Sequence, residues 1–168
     1  VRSIIGLDLS EELLQYAVGN KTIPSPEHRL PVARPELVRG NMLYLPFAND
    51  SFDRLINLFT SFGYFHGEAD NQAALAEMAR VLRPDGRLVL DHINLEAMLH
   101  SLRDNSEREL PDGRRILETR CWDTRTRRIN KRVELSGENI ATRSWTESVR
   151  AYSIGEIEDM INKVRMQA

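Results

Sequence analysis

Residues 40–65, GNMLYLPFANDSFDRLINLFTSFGYF, hold a turn, a pair of loops and a buried strand, and the residues on either side read as α/β support for them. Gly40-Asn41-Met42 closes one short apolar run. Leu45-Pro46-Phe47 and Asn49-Asp50-Ser51 then supply turn chemistry before a strand expected over Phe52–Phe59. That strand leads into a small-residue loop flanked by aromatics. Ligands of an open parallel sheet sit beyond the carboxyl ends of its strands, so Asn41 and Leu58-Phe59-Thr60 stand where a ligand is expected.

Upstream, Val1–Leu9 (VRSIIGLDL) is a β-branched run ending in an acidic residue, and Ser10-Glu11-Glu12 opens a helix with a cap and two first-turn acids suited to its dipole. The helix is expected over Glu11–Val18, with Leu13, Leu14 and Ala17 at helical spacing and Gly19-Asn20 as its stop. Pro24, Pro26, Pro31 and Pro35 make the next stretch a connection, and Glu36–Arg39 is the second strand.

Downstream, Asp70 is placed to cap a helix whose Leu75, Met78, Ala79 and Leu82 form one apolar stripe. Arg83-Pro84-Asp85-Gly86 ends it with a turn, Arg87–Ile93 is a strand, and Asn94 caps a helix running through Leu102. Strand and helix thus alternate from residue 1 to residue 102, which predicts an α/β fold with a mostly parallel sheet. Beyond Pro111-Asp112-Gly113 the pattern changes. Arg114–Asp123, Arg128–Ser136 and Ile140–Tyr152 are β-prone runs, expected as an antiparallel meander over residues 114–152. Ser153 and Glu156 make a capping box for a helix over residues 153–166, with Ile157, Ile161 and Val164 facing inward.

A length of 168 residues at 41% hydrophobic composition suits a single domain. The net charge of -2 supplies no basic field, which argues against nucleic acid and an anionic membrane and in favour of a small-molecule ligand. Cys121 is the only cysteine, so there is no internal disulfide and no cysteine-rich metal site. Without an apolar run of about 18 residues or a basic-then-apolar start, the expected setting is cytoplasmic.

Asp8, at the carboxyl end of an early strand, can accept from both hydroxyls of a cofactor ribose or can cap the helix that follows. Asn41 can read an adenine edge or hold a turn. Phe59, Phe62 and Phe65 can line a cleft or plug the core. His28, His66, His92 and His100 lack metal spacing, and His66 is the one placed to accept a proton beside the aromatic loop. Asp91 and His92 are adjacent in a strand and so point to opposite faces. The cations of residues 114–132 are expected as a solvated strand face.

Taken together, VRSIIGLDLSEELLQYA, LVRGNMLYLPFANDSFDRLINLFTSFGYF and LAEMARVLRPDGRLVLDHIN resemble class I S-adenosylmethionine-dependent methyltransferases, over about Ile4 to Asn94. The resemblance implies a Rossmann-like sheet with flanking helices and S-adenosylmethionine as cofactor. It assigns Asp8 to the ribose, Leu9, Asn41 and Met42 to the adenine, Leu58 to the methionine part, and Pro84-Asp85-Gly86 to the turn before the fifth strand. Most members carry Asp where this chain has Asn41. The run Leu58–Phe65 is similar to the acceptor-side loop of small-molecule and glycine-type N-methyltransferases, which places Thr60, Phe62 and Tyr64 near the acceptor. The family's first strand and Gly-rich loop would fall before Val1, and none of the nine glycines forms G-x-G, so the chain is expected to be truncated before the second strand and after the last long helix. Two other readings stand beside this one. A non-catalytic remnant could act as an interaction module or homo-oligomer through an exposed strand edge, and a nicotinamide-dependent oxidoreductase would use Asp8 in the same way.

Overall fold

The computed structural model describes residues 3–19, 35–138 and 140–164. Pro24, Pro26, Pro31, Asn20, His28 and the last residues of the expected C-terminal helix lie outside that set. The chain forms two compact units, Val1–Ala48 and Asn49–Ala168.

In the first unit, β1 (Ile5–Asp8) pairs in parallel with β2 (Glu36–Arg39), in the register Ile5↔Glu36 through Asp8↔Arg39. The strand ends one residue before the expected Leu9 because the Asp8 carboxylate turns the chain, its Oδ1 accepting from the Ser10 backbone N at 2.7 Å. The Ser10 hydroxyl then caps α1 (Glu11–Gly19), accepting from Leu13 N at 3.3 Å. Leu14 is half-buried, whereas Leu13 and Ala17 are exposed. Gly40 follows β2 where the backbone is crowded: a Cβ there would come 2.7 Å from the Leu7 side chain.

The second unit begins with β3 (Phe52–Asn57), α2 (Glu68–Val81), β4 (Leu82–Leu90) and α3 (Leu95–Ser101). Strands β3 and β4 pair in parallel, from Arg54↔Arg87 to Asn57↔Leu90. The expected turn at Arg83–Gly86 lies inside β4 as a register irregularity, since Phe52 pairs with Leu82 and Arg54 already with Arg87. α2 starts earlier than expected. Gly67, in extended backbone, is its N-cap, and Asp70 sits in the first turn beside Glu68, where both acids meet the positive end of the helix dipole. Its buried stripe is Asn71, Ala74, Leu75, Met78 and Val81; Leu82 is buried as well but belongs to the strand. Asn94 caps α3 as expected, its side chain accepting from Ala97 N at 3.0 Å.

Four antiparallel strands follow in the order β5 (Asn105–Glu109), β6 (Arg115–Asp123), β7 (Arg128–Ser136) and β8 (Arg143–Arg150). The sequence pattern announces three of them. β5, reading NSERE, is exposed at every position, so it carries no apolar alternation and forms through its ladder to β6 alone. The capping box at Ser153 and Glu156 is complete and starts α4 (Ile154–Lys163). Met160 is the buried residue of α4, and its carbonyl accepts from Gln72 Nε2 at 3.0 Å, tying α4 to α2. The core of this unit gathers the α2 stripe with Phe62, Val133, Val149, Ala151, Tyr152 and Met160.

Candidate functional site

Two groups of residues stand at the carboxyl ends of parallel strands, one in each unit. In the first unit, the parallel register puts the end of β1 beside the end of β2, and the Gly40 N donates to the Asp8 carbonyl at 3.0 Å. Asp8 and Asn41 therefore leave the same end of one two-stranded sheet. Asp8 uses Oδ1 for the Ser10 turn, and its Oδ2 has no hydrogen-bond partner among the described residues. Asn41 Oδ1 accepts from Leu43 N at 3.0 Å, holding a turn, while its side-chain amide nitrogen remains a spare donor among the described residues. Each residue thus performs its local turn role and retains a polar atom for a ligand. Leu9 is 64% exposed and Met42 half-buried.

In the second unit, β3 stops at Asn57 instead of Phe59. The physical reason is the backbone that follows: Phe59 and Thr60 both adopt φ of 55°, a left-handed conformation that side chains with a Cβ disfavour. Two consecutive residues of this kind persist only where their surroundings hold them. Here Asp91 Oδ2 accepts from Phe59 N at 2.8 Å, and the Thr60 hydroxyl donates to the Phe59 carbonyl at 2.7 Å. The Ser61 hydroxyl donates to the Leu58 carbonyl at 2.7 Å. Asn57, buried at the end of β3, accepts from Phe62 N at 3.2 Å and closes the loop from below.

The far side of this loop is held by two arginines of the antiparallel sheet. Arg128, only 7% exposed, donates to the Gly63, Tyr64 and Phe65 carbonyls at 3.1, 3.2 and 3.0 Å, and to the Ser148 hydroxyl and carbonyl at 2.8 and 2.7 Å. Burial draws this guanidinium below its ordinary range. Arg150 binds Glu68 at 2.8 Å and Glu156 at 2.7 Å, and its guanidinium lies 4.5 Å from the centre of the Tyr152 ring. Tyr152 donates its hydroxyl to Glu68 at 2.6 Å, and burial together with that bond raises its pKa.

Among the expected acceptor-side residues, Thr60 is half-buried and Tyr64 is 42% exposed, and both line a cleft of about 140 Å³. Arg120, Ile129, Lys131, Glu147 and Val149 of the antiparallel sheet and Ile93 complete its walls. Burial pushes the Tyr64 phenol up, and the nearby Glu147 adds to this against the opposing pull of Lys131. Phe62 is 1% exposed and packs edge-on against His92 and tilted against Tyr152, so its ring serves the core beneath the loop. Leu58 is 48% exposed. His66 is exposed outside the cleft walls.

β4 ends at Leu90 instead of the expected Ile93, so Asp91 and His92 follow the strand instead of alternating within it, and they serve different partners. Asp91 holds Phe59 N, whereas His92 Nε2 accepts from Tyr152 N at 2.9 Å, which leaves the ring proton on Nδ1. No group of three or more His, Cys, Asp or Glu residues that could hold a metal occurs among the described residues.

Residues 1–90 match the family model described as a methyltransferase domain. The chain belongs to this family. A demethylmenaquinone methyltransferase of Bacillus velezensis is 36% identical to this methyltransferase domain over 87 residues, which cover 51% of the chain and 33% of that relative. Its counterpart in Mycolicibacterium paratuberculosis is 53% identical over 53 residues, 32% of the chain and 21% of the relative. The matched segments thus span a third or less of these relatives. Among solved structures, the CcbJ methyltransferase of Streptomyces caelestis superimposes with a TM-score of 0.72 at 19% identity, covering 96% of the chain and 63% of that protein. An S-adenosylmethionine-dependent methyltransferase of Clostridium acetobutylicum gives 0.69 at 17% identity, covering 97% and 63%. CalS10 of Micromonospora echinaspora, an amino pentose methyltransferase solved with its S-adenosylmethionine, gives 0.62 at 22% identity, covering 96% and 65%. These likenesses establish the α/β methyltransferase fold.

Several residues that shape the loop of this methyltransferase domain escape the sequence reading. Asn57 and Asp91 act through bonds to backbone N–H groups five and thirty-two residues away, and only the pairing of β3 with β4 reveals the longer of these. The solvated-face expectation describes Arg115 and Arg132, which are exposed, but not Arg128, which is buried. A signal for it does exist: Arg128 opens a strand directly after a four-residue turn, where the sheet can fold its side chain back over a neighbouring loop.

Proposed function

We propose that this methyltransferase domain binds S-adenosylmethionine and delivers its methyl group to a small-molecule acceptor. The observation that carries the reading is the spare carboxylate oxygen of Asp8 beside Asn41 at the carboxyl end of the β1–β2 pair. A carboxylate there suits the two ribose hydroxyls, and the spare Asn41 amide nitrogen suits an acceptor atom on the adenine edge. Exposed Leu9 and half-buried Met42 supply apolar surface for the base, and Leu58, just beyond the end of β3, is assigned to the methionine part.

When bound, the cofactor supplies a methyl carbon already activated by the sulfonium charge: the acceptor's lone pair forms the new bond as the carbon–sulfur bond breaks, its electron pair staying on sulfur. The protein's part is to align the acceptor and exclude water. Thr60 and Tyr64 are the acceptor-side residues in this reading, with Phe62 as the floor on which their loop rests. Residues 1–168 belong to one methyltransferase domain, with 1–102 as its parallel α/β part, 114–152 as the meander and 153–166 as the closing helix. No helix among the described residues is long and apolar enough to cross a membrane. A cytoplasmic setting and self-association through an open strand edge belong to the same reading; β5 ends its sheet with one side unpaired among the described strands.

Calorimetric titration of the chain with S-adenosylmethionine tests the proposal. Asp8→Asn keeps an acceptor for the Ser10 turn and removes the charge. It should weaken binding by about 10- to 100-fold, the equivalent of the 1.5–3 kcal/mol carried by hydrogen bonds to a charged group. Equal affinity in wild type, Asp8→Asn and Asp8→Ala would remove Asp8 from the site and the reading with it.

A further inference from the structure

The face of the antiparallel sheet that lines the Thr60–Tyr64 cleft departs from its own pattern. Strand alternation puts Ile116, Glu118, Arg120 and Trp122 of β6 on this face, with Ile129, Lys131 and Val133 of β7 and Trp145, Glu147 and Val149 of β8. Most of these are apolar, and Val133 and Val149 are buried. Across the middle runs a charged row. Arg120 stands opposite Lys131, and Lys131 opposite Glu147, in consecutive ladders, with Glu118 two residues from Arg120.

The side chains of Glu118, Arg120, Lys131 and Glu147 are only 19, 27, 29 and 32% exposed. Half-burying four charges on an apolar face costs desolvation that well-packed hydrophobic residues would avoid. The order within the row adds a second cost, because two cations directly opposite one another repel. Glu118 pairs with Arg120 and Glu147 with Lys131 at 2.7 Å, so the carboxylates lie at the flanks and the two cations in the centre. An anionic group seated over the centre relieves that repulsion. Glu147, with the Tyr64 phenol across the cleft, offers the complementary place for a cationic or amino group. The volume of about 140 Å³ has room for a group displacing four or five waters at about 30 Å³ each.

We infer that the cleft between the Thr60–Tyr64 loop and the Arg120–Lys131–Glu147 row is a subsite for a small zwitterion, its anionic end on Arg120 and Lys131 and its amino end on Glu147 and Tyr64. That the zwitterion is the methyl acceptor rests on the methyltransferase reading above; that it binds here does not. The row's balance of charge disfavours a ligand carrying one sign alone, since either sign then meets an unmatched partner.

The experiment titrates the full chain with 4-aminobutyrate, butyrate and butylamine, following backbone amide shifts of Tyr64, Lys131 and Glu147 by NMR. 4-Aminobutyrate should bind about tenfold or more tightly than either single-charge probe. Glu147→Gln should reduce it to the level of butyrate. The double variant Lys131→Met, Glu147→Leu should lose it while keeping or raising the melting temperature, as removal of both members of a half-buried pair allows. Equal binding of the three probes, no shifts at tens of millimolar 4-aminobutyrate, or unchanged binding in Glu147→Gln would overturn the inference. Calorimetry with S-adenosylmethionine on the same samples separates the two readings: shifts in the row without cofactor binding keep the subsite and remove the methyl transfer, and cofactor binding without shifts does the opposite.

Discussion

Arg128→Met removes the clamp between the sheet and the 63–65 loop while keeping an apolar stem about as long as that of the arginine. Two opposing effects decide the outcome. A buried guanidinium bonded only to carbonyls and a hydroxyl carries a desolvation cost, and Arg150 stands directly opposite it in the ladder, so its removal relieves repulsion. Against this, five hydrogen bonds vanish. Two of the acceptors keep other donors, since the Gly63 carbonyl is also held by Arg150 N at 2.9 Å and the Phe65 carbonyl by Asn71 at 3.0 Å. The loss therefore falls on the Tyr64 carbonyl and the Ser148 groups. At about 1–3 kcal/mol for each acceptor left unsatisfied, offset in part by the relieved repulsion, the net destabilisation is about 2–4 kcal/mol. For a chain of this size that lowers the melting temperature by about 4–16 °C. Urea unfolding followed by circular dichroism measures it, with the slope unchanged if the unfolded state is unaffected. Arg128→Lys, which keeps the charge but not the planar fork, should fall between Met and wild type. A Met variant as stable as wild type would refute the reasoning, because desolvation would then outweigh the clamp.

Gly63→Ala should destabilise by about 1–3 kcal/mol in the same unfolding assay, because Gly63 holds φ of 99° and a Cβ there would come 2.6 Å from the Arg150 carbonyl, a backbone atom that cannot simply turn away; an unchanged midpoint would show that the loop relaxes freely. Stability should fall on acidification in two windows. Burial, and then Arg150, depress the His92 pKa, so its neutral form is favoured in the folded state; the unfolded chain takes up the proton first, and stability is lost as pH falls below the ordinary histidine value of 6.5 toward the depressed one. Burial alone would raise the Glu156 carboxyl, but bonds from Ser153 and Arg150 outweigh it and hold it low; its contribution is complete above the ordinary value of 4.5 and is lost as pH falls through the depressed one. Unfolding midpoints measured across pH should lose the upper window in His92→Gln and keep the lower, and a wild-type profile flat between neutrality and pH 5 would contradict the histidine assignment.

The alternation of strands and helices through Leu102, the side-chain caps at Ser10 and Asn94, the capping box at Ser153, and the meander beyond Gly113 were all legible in the chain, because each depends on residues within a turn or two of one another. The positions of Asp8 and Asn41 at strand ends were legible for the same reason, since strand periodicity and turn chemistry are local. The left-handed pair Phe59-Thr60 was not, and β3 ends two residues before the expected Phe59, because no glycine marks the spot and the stabilising Asp91 arrives thirty-two residues later. β5 has no apolar face to betray it and exists through its neighbour's ladder. Composition could show that residues 114–132 are rich in cations, but whether a given arginine meets water or three carbonyls depends on which loop the sheet folds against. That choice belongs to the tertiary structure, where burial of Phe62, Val149 and Tyr152 brings the 63–65 loop onto Arg128 and turns Lys131 and Glu147 toward Tyr64.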